Sequence, residues 1–284
     1  MKKVFLFALV FSLCLPAVSQ KIYIWCGTLI DGLSSEARNN MTLIVEKNKI
    51  VAIVNGFSKP GTADKTVDLK SQTVMPGWID MHVNLESETS PMQYMERFTL
   101  NPQDIAFQSI PNAEKTLMAG FTTVRDMAGN GVNIALRNAI SKGLVKGPRI
   151  FTAGKAIAST GGHADPTNGF RKDLADDPGP TQGVVNSPEE GRKAVRQRYK
   201  DGSDLIKITA TGGVLSLAKN GQNPQFTEEE MRAIVETAKD YGFKVAAHAH
   251  GAEGMKRAIR AGVNSIEHGT LMDDEAIALF KQYG

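Results

Sequence analysis

After residue 20 the chain opens with short runs of alternating apolar and polar positions, and near residue 75 these give way to a longer repeat. Lys21–Trp25, Met41–Glu46 and Lys49–Asn55 are rich in β-branched residues and read as strands. Glu46-Lys47-Asn48-Lys49 between the last two predicts a tight hairpin turn. Residues 20–74 are therefore expected to form a small β-sandwich module, too short to be an enzyme alone.

From there strand and helix patterns alternate. Thr73–Val83 predicts a buried strand, Pro102–Ala119 a helix, Thr122–Asp126 a strand and Asn133–Lys142 a helix. Arg149–Ala156 is the next strand, followed by a loop rich in Gly, Asp and Pro over Ser159–Pro180. Helix Pro188–Asp201, strand Leu205–Thr209, helix Thr227–Tyr241 and strand Lys244–Ala249 follow. Helix Gly254–Ala261, strand Ser265–His268 and helix Asp273–Gln282 close the pattern. Ser187 and Thr227 each precede a glutamate three residues on, a helix-capping arrangement that fixes two of the helix starts.

The alternation predicts an α/β fold with parallel strands. Six β/α units are visible, where a closed (β/α)8 barrel needs eight. Either the sheet is open or the barrel is cut short, and Gly284 falls where a helix would hand over to a seventh strand. The expectation is an incomplete (β/α)8 TIM-like barrel over residues 75–284, C-terminally truncated and lacking strands 7 and 8.

Composition narrows the class. With 284 residues, 42% hydrophobic and 22% charged, the chain suits a soluble α/β enzyme and excludes a disordered or fibrous protein. Its net charge of +3 includes Lys2 and Lys3, and no basic block occurs anywhere, so no nucleic acid partner is expected. Residues 1–19 read as an export signal: two lysines, the apolar run Val4–Leu15, then small residues before a cleavage point after Ser19. That run is too short to span a bilayer, so no stable membrane span is expected after cleavage, and the protein is expected to be periplasmic or extracellular. A lipid anchor at Cys14 is the lesser alternative, since the bulky Leu13 before it fits poorly; with the signal removed only Cys26 is left, and no internal disulfide is possible.

The five histidines carry the chemistry. His82, His248, His250 and His268 lie at the carboxyl ends of predicted strands, and His163 lies in the glycine-rich loop. A lone histidine at a strand end is commonly structural. In a parallel α/β array, however, strand ends share one rim, and imidazoles gathered there suit a zinc site. Lys207 sits in an apolar strand, as a surface or ion-paired lysine or as a group facing the same rim.

Several of these segments together resemble the amidohydrolase superfamily. Pro76-Gly77-Trp78-Ile79-Asp80-Met81-His82-Val83-Asn84 is similar to its first-strand signature, Pro-Gly-x-Ile-Asp-x-His-x-His. Leu205-Ile206-Lys207-Ile208 resembles the fourth strand, Ala247-His248-Ala249-His250-Gly251 the fifth, and Ile266-Glu267-His268-Gly269-Thr270 the sixth. Thr160-Gly161-Gly162-His163-Ala164-Asp165 is similar to the branch of Xaa-Pro dipeptidases and imidazolonepropionase-like proteins. The likeness runs from about Ile22 to the end, and the family's β module, built from both chain ends, fits the first part.

The resemblance implies one or two divalent ions, Zn2+ first, held by His82, Lys207, His248 and His268, with Lys207 carboxylated and bridging. It implies metal-dependent hydrolysis of amide (C–N) bonds in small substrates such as dipeptides, by metal-activated water. His248, the deeper of its pair, takes the ligand role, and His250 either serves substrate or supports the ligands from behind. His163 either hydrogen-bonds substrate or orders the Gly-Gly turn. A small molecule or dipeptide is the expected partner, and a homo-oligomer is compatible with the family. Two departures stand out: Asn84 replaces the family's second histidine, and the aspartate that follows strand eight is missing. Hydrolysis of a cyclic amide, or a non-catalytic binding relative or inactive fragment, are the alternatives they leave.

Overall fold

The computed structural model describes residues 20–217 and 219–283. The export-signal reading and Cys14 fall on residues 1–19, outside the described residues. The chain divides after Pro76 into two compact units.

In the first unit β1 (Lys21–Leu29), β2 (Arg38–Glu46), β3 (Lys49–Asn55) and β4 (Lys65–Val74) form one mixed sheet in the order β3-β2-β1-β4. Among the described residues this is a single four-stranded sheet, where two stacked sheets were expected. Its core is Cys26, Leu29, Met41 and Leu43. The β2–β3 hairpin turns at Lys47-Asn48, with Glu46 opposite Lys49 and Lys47 at φ 57°. Gly27 marks the slip in the parallel β1–β4 register: a Cβ there would lie 2.0 Å from the Lys70 carbonyl oxygen, so only glycine fits.

The second unit alternates strands and helices. Its strands are β5 (Trp78–Val83), β6 (Phe121–Asp126), β7 (Arg149–Thr152), β8 (Ile206–Thr209), β9 (Val245–Gly251) and β10 (Ser265–Leu271). The helices are α1 (Gln93–Thr99), α2 (Pro102–Met118), α3 (Val132–Ser141), α4 (Pro188–Asp201), α5 (Glu228–Asp240), α6 (Ala252–Ala261) and α7 (Asp274–Tyr283). All strand pairs are parallel, in two three-stranded sheets, β5-β6-β7 and β8-β9-β10. Ile157 links the second sheet to the segment after β7: its N–H donates to the Lys207 carbonyl (2.8 Å), and its own carbonyl accepts from Thr209 N–H (3.0 Å). The strands thus follow one another in space as in sequence. Both capping motifs are present, with the Ser187 and Thr227 hydroxyls accepting from the backbone N–H of Glu190 and Glu230.

One boundary is corrected. The single buried strand expected over Thr73–Val83 is two strands, because Pro76 offers no N–H to a ladder and the chain breaks there. β5 is also exposed: Trp78, Ile79 and Met81 are each more than half open to solvent. It pairs with β6 on one side and with no described strand on the other. Helix α1 and most of β4 were not anticipated.

Period-two alternation decides which side chains face the helices. Ile206 and Ile208 of β8, and Val245, Ala247 and Ala249 of β9, pack with Met231, Ile234 and Met255 of the helices. Their neighbours Lys207, Thr209, Ala246, His248 and His250 therefore turn to the opposite face.

A buried carboxyl pair fastens β6 to the start of α3. Asp126 is fully buried and accepts from Leu85 N–H (3.0 Å) and from the Asn133 amide (2.9 Å). Glu86 accepts from the backbone N–H of Asn130 (2.6 Å) and Asn133 (2.7 Å). Burial, with a smaller contribution from the neighbouring Glu86 charge, raises the Asp126 carboxyl from 3.8 to about 7. A raised carboxyl stabilises the fold fully below its unfolded value, and that contribution fades as pH rises from about 4 through about 7. The wild-type urea midpoint is therefore expected to fall between about pH 5 and pH 8, and Asp126→Asn to flatten that slope. Equal slopes in the two proteins would refute the assignment.

Candidate metal centre

All five histidines converge. The His268 ring lies 4.9 Å from His82, 4.8 Å from His248 and 5.0 Å from His250, centroid to centroid. His163 stacks on His248 at 4.2 Å. Ligating atoms of His248, His250 and His268 lie within 4.8 Å of one another, a spacing that a single ion could bridge. With Lys207, these five rings line a cavity of about 250 Å³, and the apolar Val214 and Leu215 border it.

Different local devices deliver each group. His248 and His250 are two residues apart on β9 and share a face. His248 Nε2 is 3.0 Å from the Gly212 carbonyl, which only accepts, so Nε2 carries the proton and Nδ1 presents its lone pair. His250 Nδ1 lies 2.8 Å from Thr270 Oγ1, and its Nε2 has no hydrogen-bond partner among the described residues. His163 is held by its loop: Asp165 accepts from the N–H groups of Gly161 (2.8 Å) and Thr167 (2.9 Å), and His163 N–H donates to Gln225 Oε1 (2.8 Å). Gly213 must be small beside it, since a Cβ there would lie 2.3 Å from the His163 ring.

His268 required more than alternation. Ile266 packs on the helix-side core and Glu267 is buried on the other face, so a regular strand would send His268 to the helix side. Instead His268 has φ 73°, a left-handed conformation, and the β9–β10 register breaks immediately after it. This irregularity brings the imidazole of His268 and the carboxylate of Glu267 to the same cluster. Such strain at a histidine is characteristic of a functional site.

The electrostatics suit a cation. Burial, opposed by the Gly212 hydrogen bond, pushes the His248 imidazole down to about 3. Burial and the nearby Lys207 charge push His163 down to about 4. Burial lowers His268 as well. Neutral imidazoles are the ligating form. His163 Nδ1 is buried with no hydrogen-bond partner, and Lys207, 4% exposed, has no carboxylate within 4 Å among the described residues. Burial also pulls the Lys207 ammonium down to about 8. An unpartnered, buried imidazole nitrogen beside three clustered histidines fits a divalent ion.

Every residue singled out in the sequence thus lies at one place, His82, His163, Lys207, His248, His250 and His268 alike, with Asn84 on the cavity wall. His250 was expected to serve substrate or to support the ligands, and one of its ring nitrogens belongs to the same close set as those of His248 and His268. Two residues were missed. Glu267 and Arg125 are charged residues within the predicted strands Ser265–His268 and Thr122–Asp126, and that placement was the available signal.

The chain belongs to the amidohydrolase family, whose pattern matches residues 73–283. It is 31% identical over 276 residues to ochratoxinase of Aspergillus niger, an alignment that spans 92% of this chain and 57% of that protein. Among solved structures it is similar to a Xaa-Pro dipeptidase with methionine bound in the active site (52% identity, TM-score 0.88, 93% of this chain and 65% of that one). A prolidase complexed with N-methylphosphonate-L-proline is also similar (32% identity, TM-score 0.83, 93% and 65%). The chain therefore spans somewhat under two thirds of the length of these relatives.

Proposed function

We propose that the protein hydrolyses amide bonds in small peptide-like substrates, dipeptides first, with zinc as its divalent ion. The observation that carries this reading is the convergence of five imidazoles with one buried lysine around one cavity. The names of its relatives support the substrate class. The consecutive parallel strands support reading the second unit as six β/α units of a (β/α)8 barrel.

In this reading His248 ligates through Nδ1, because its Nε2 is committed to Gly212. His268, His82 and Lys207 supply further ligands. Lys207 does so as a carbamate: its neutral amine adds to carbon dioxide, a C–N bond forms and the amine proton leaves to water. The resulting anion offsets the charge of the cation. Asn84 contributes at most a neutral amide oxygen, which weakens any second ion. A bound divalent ion supplies Lewis acidity, polarising the amide carbonyl and acidifying water. His163 and the Nε2 of His250 border the cavity and hold the substrate's polar groups, while Val214 and Leu215 receive an apolar side chain.

Metal analysis combined with a dipeptide panel tests this. About one or two zinc ions per chain are expected, with cleavage that a chelator abolishes and added zinc restores. A folded protein that binds no divalent ion, or cleaves equally well without one, would overturn the reading.

A further inference from the structure

We infer that Glu267 is a positioning residue that fixes the tautomer and orientation of His82, and that Arg125 holds Glu267 in place to do so. The inference rests on the metal-centre reading above.

Glu267 has no oxygen to spare. Its Oε2 lies 3.0 Å from His82 Nδ1. Its Oε1 accepts from Arg125 Nη2 (2.6 Å) and from the Ser265 hydroxyl (2.7 Å). An ionised carboxylate only accepts, so the ring nitrogen that faces it must carry the proton. The neutral His82 ring is thereby fixed as the Nδ1–H tautomer, with the Nε2 lone pair left for the cluster that its ring adjoins at His268. A carboxylate whose two oxygens are both engaged by donors is a poor proton shuttle. That separates positioning from proton transfer.

Arg125 gives the carboxylate its fixed place. Its Nε donates to the Met81 carbonyl (2.7 Å) in the residue before His82, and its Nη1 donates to Ser265 Oγ (3.3 Å). One guanidinium therefore ties β5, β6 and β10 together, across 142 residues of sequence between Arg125 and Glu267. The planar fork suits that task better than a lysine would. Both ends of the His82 side chain's environment, its own strand and its carboxylate partner, are referenced to the same side chain.

The test uses Glu267→Ala with two readouts. The first is zinc affinity, by competition with a chromophoric chelator. The second is the His82 tautomer in metal-free protein, read by long-range 1H–15N NMR and assigned by loss of the signal in His82→Gln. Affinity is expected to fall about 10- to 100-fold, the usual loss when a ligand's orienting carboxylate is removed. The His82 signal is expected to move from the Nδ1–H pattern toward the Nε2–H one. If Glu267→Ala fails to fold, Arg125→Met with Glu267→Met replaces the ion pair by apolar groups of similar length and carries the test with the same outcomes. Wild-type affinity, or an unchanged tautomer, would overturn the inference. The tautomer is read without metal, so it judges Glu267 even if the wild-type protein takes up no zinc, a result that would sink the metal reading instead.

Discussion

Replacing Lys207 with alanine is expected to strip the protein of its divalent ion and to lower amide hydrolysis by at least about a thousandfold. The magnitude follows from the several kcal/mol of charge stabilisation that a bound ion contributes, at about 1.4 kcal/mol per factor of ten. Lys207 is almost wholly buried, yet it faces a cavity of imidazoles and has no carboxylate partner within 4 Å among the described residues. The Glu267 charge favours its ammonium and the Arg125 charge opposes it, so no direct ion pair accounts for its burial. The helix-side core does not include Lys207, so truncation should leave packing intact. Metal content, kcat/KM and the circular dichroism spectrum, measured together, separate loss of the ion from loss of the fold. Retained zinc with retained turnover would remove Lys207 from the site.

The next residue along should behave in the opposite way. Ile208→Ala is expected to cost about 2–5 kcal/mol of stability, the range for deleting a buried aliphatic side chain and leaving a cavity. Ile208 is fully buried, and its neighbours in that core include Ile157, Val195, Ile206 and Ile234, drawn from strand, helix and loop. A denaturant midpoint shifted down with an unchanged m-value is the expected signature. Because Ile208 points away from the imidazoles, protein that remains folded should still take up zinc. Adjacent positions on one strand thus separate chemistry from packing. A stable Ile208→Ala variant that loses its metal would show that the faces have been assigned the wrong way round.

Much of this was legible in the chain itself. The spacing of His248 and His250 put them on one side of a strand, the Ser187 and Thr227 caps marked helix starts, and the alternation of strand and helix implied strand ends on a shared rim. These are local rules, written in neighbouring residues. The break at Pro76 was available too, but the apolar run on either side of it hid it.

What no local pattern could supply lies between distant segments. The contact of His82 with Glu267 spans 185 residues, and which oxygen meets which nitrogen depends on how β5 and β10 are brought together by Arg125. The left-handed turn at His268 likewise defies alternation and persists only because surrounding structure holds it. Periodicity is a property of a strand alone, so it assigns side chains to faces; convergence, tautomer and strain belong to pairs of strands, and exist only once the chain has folded.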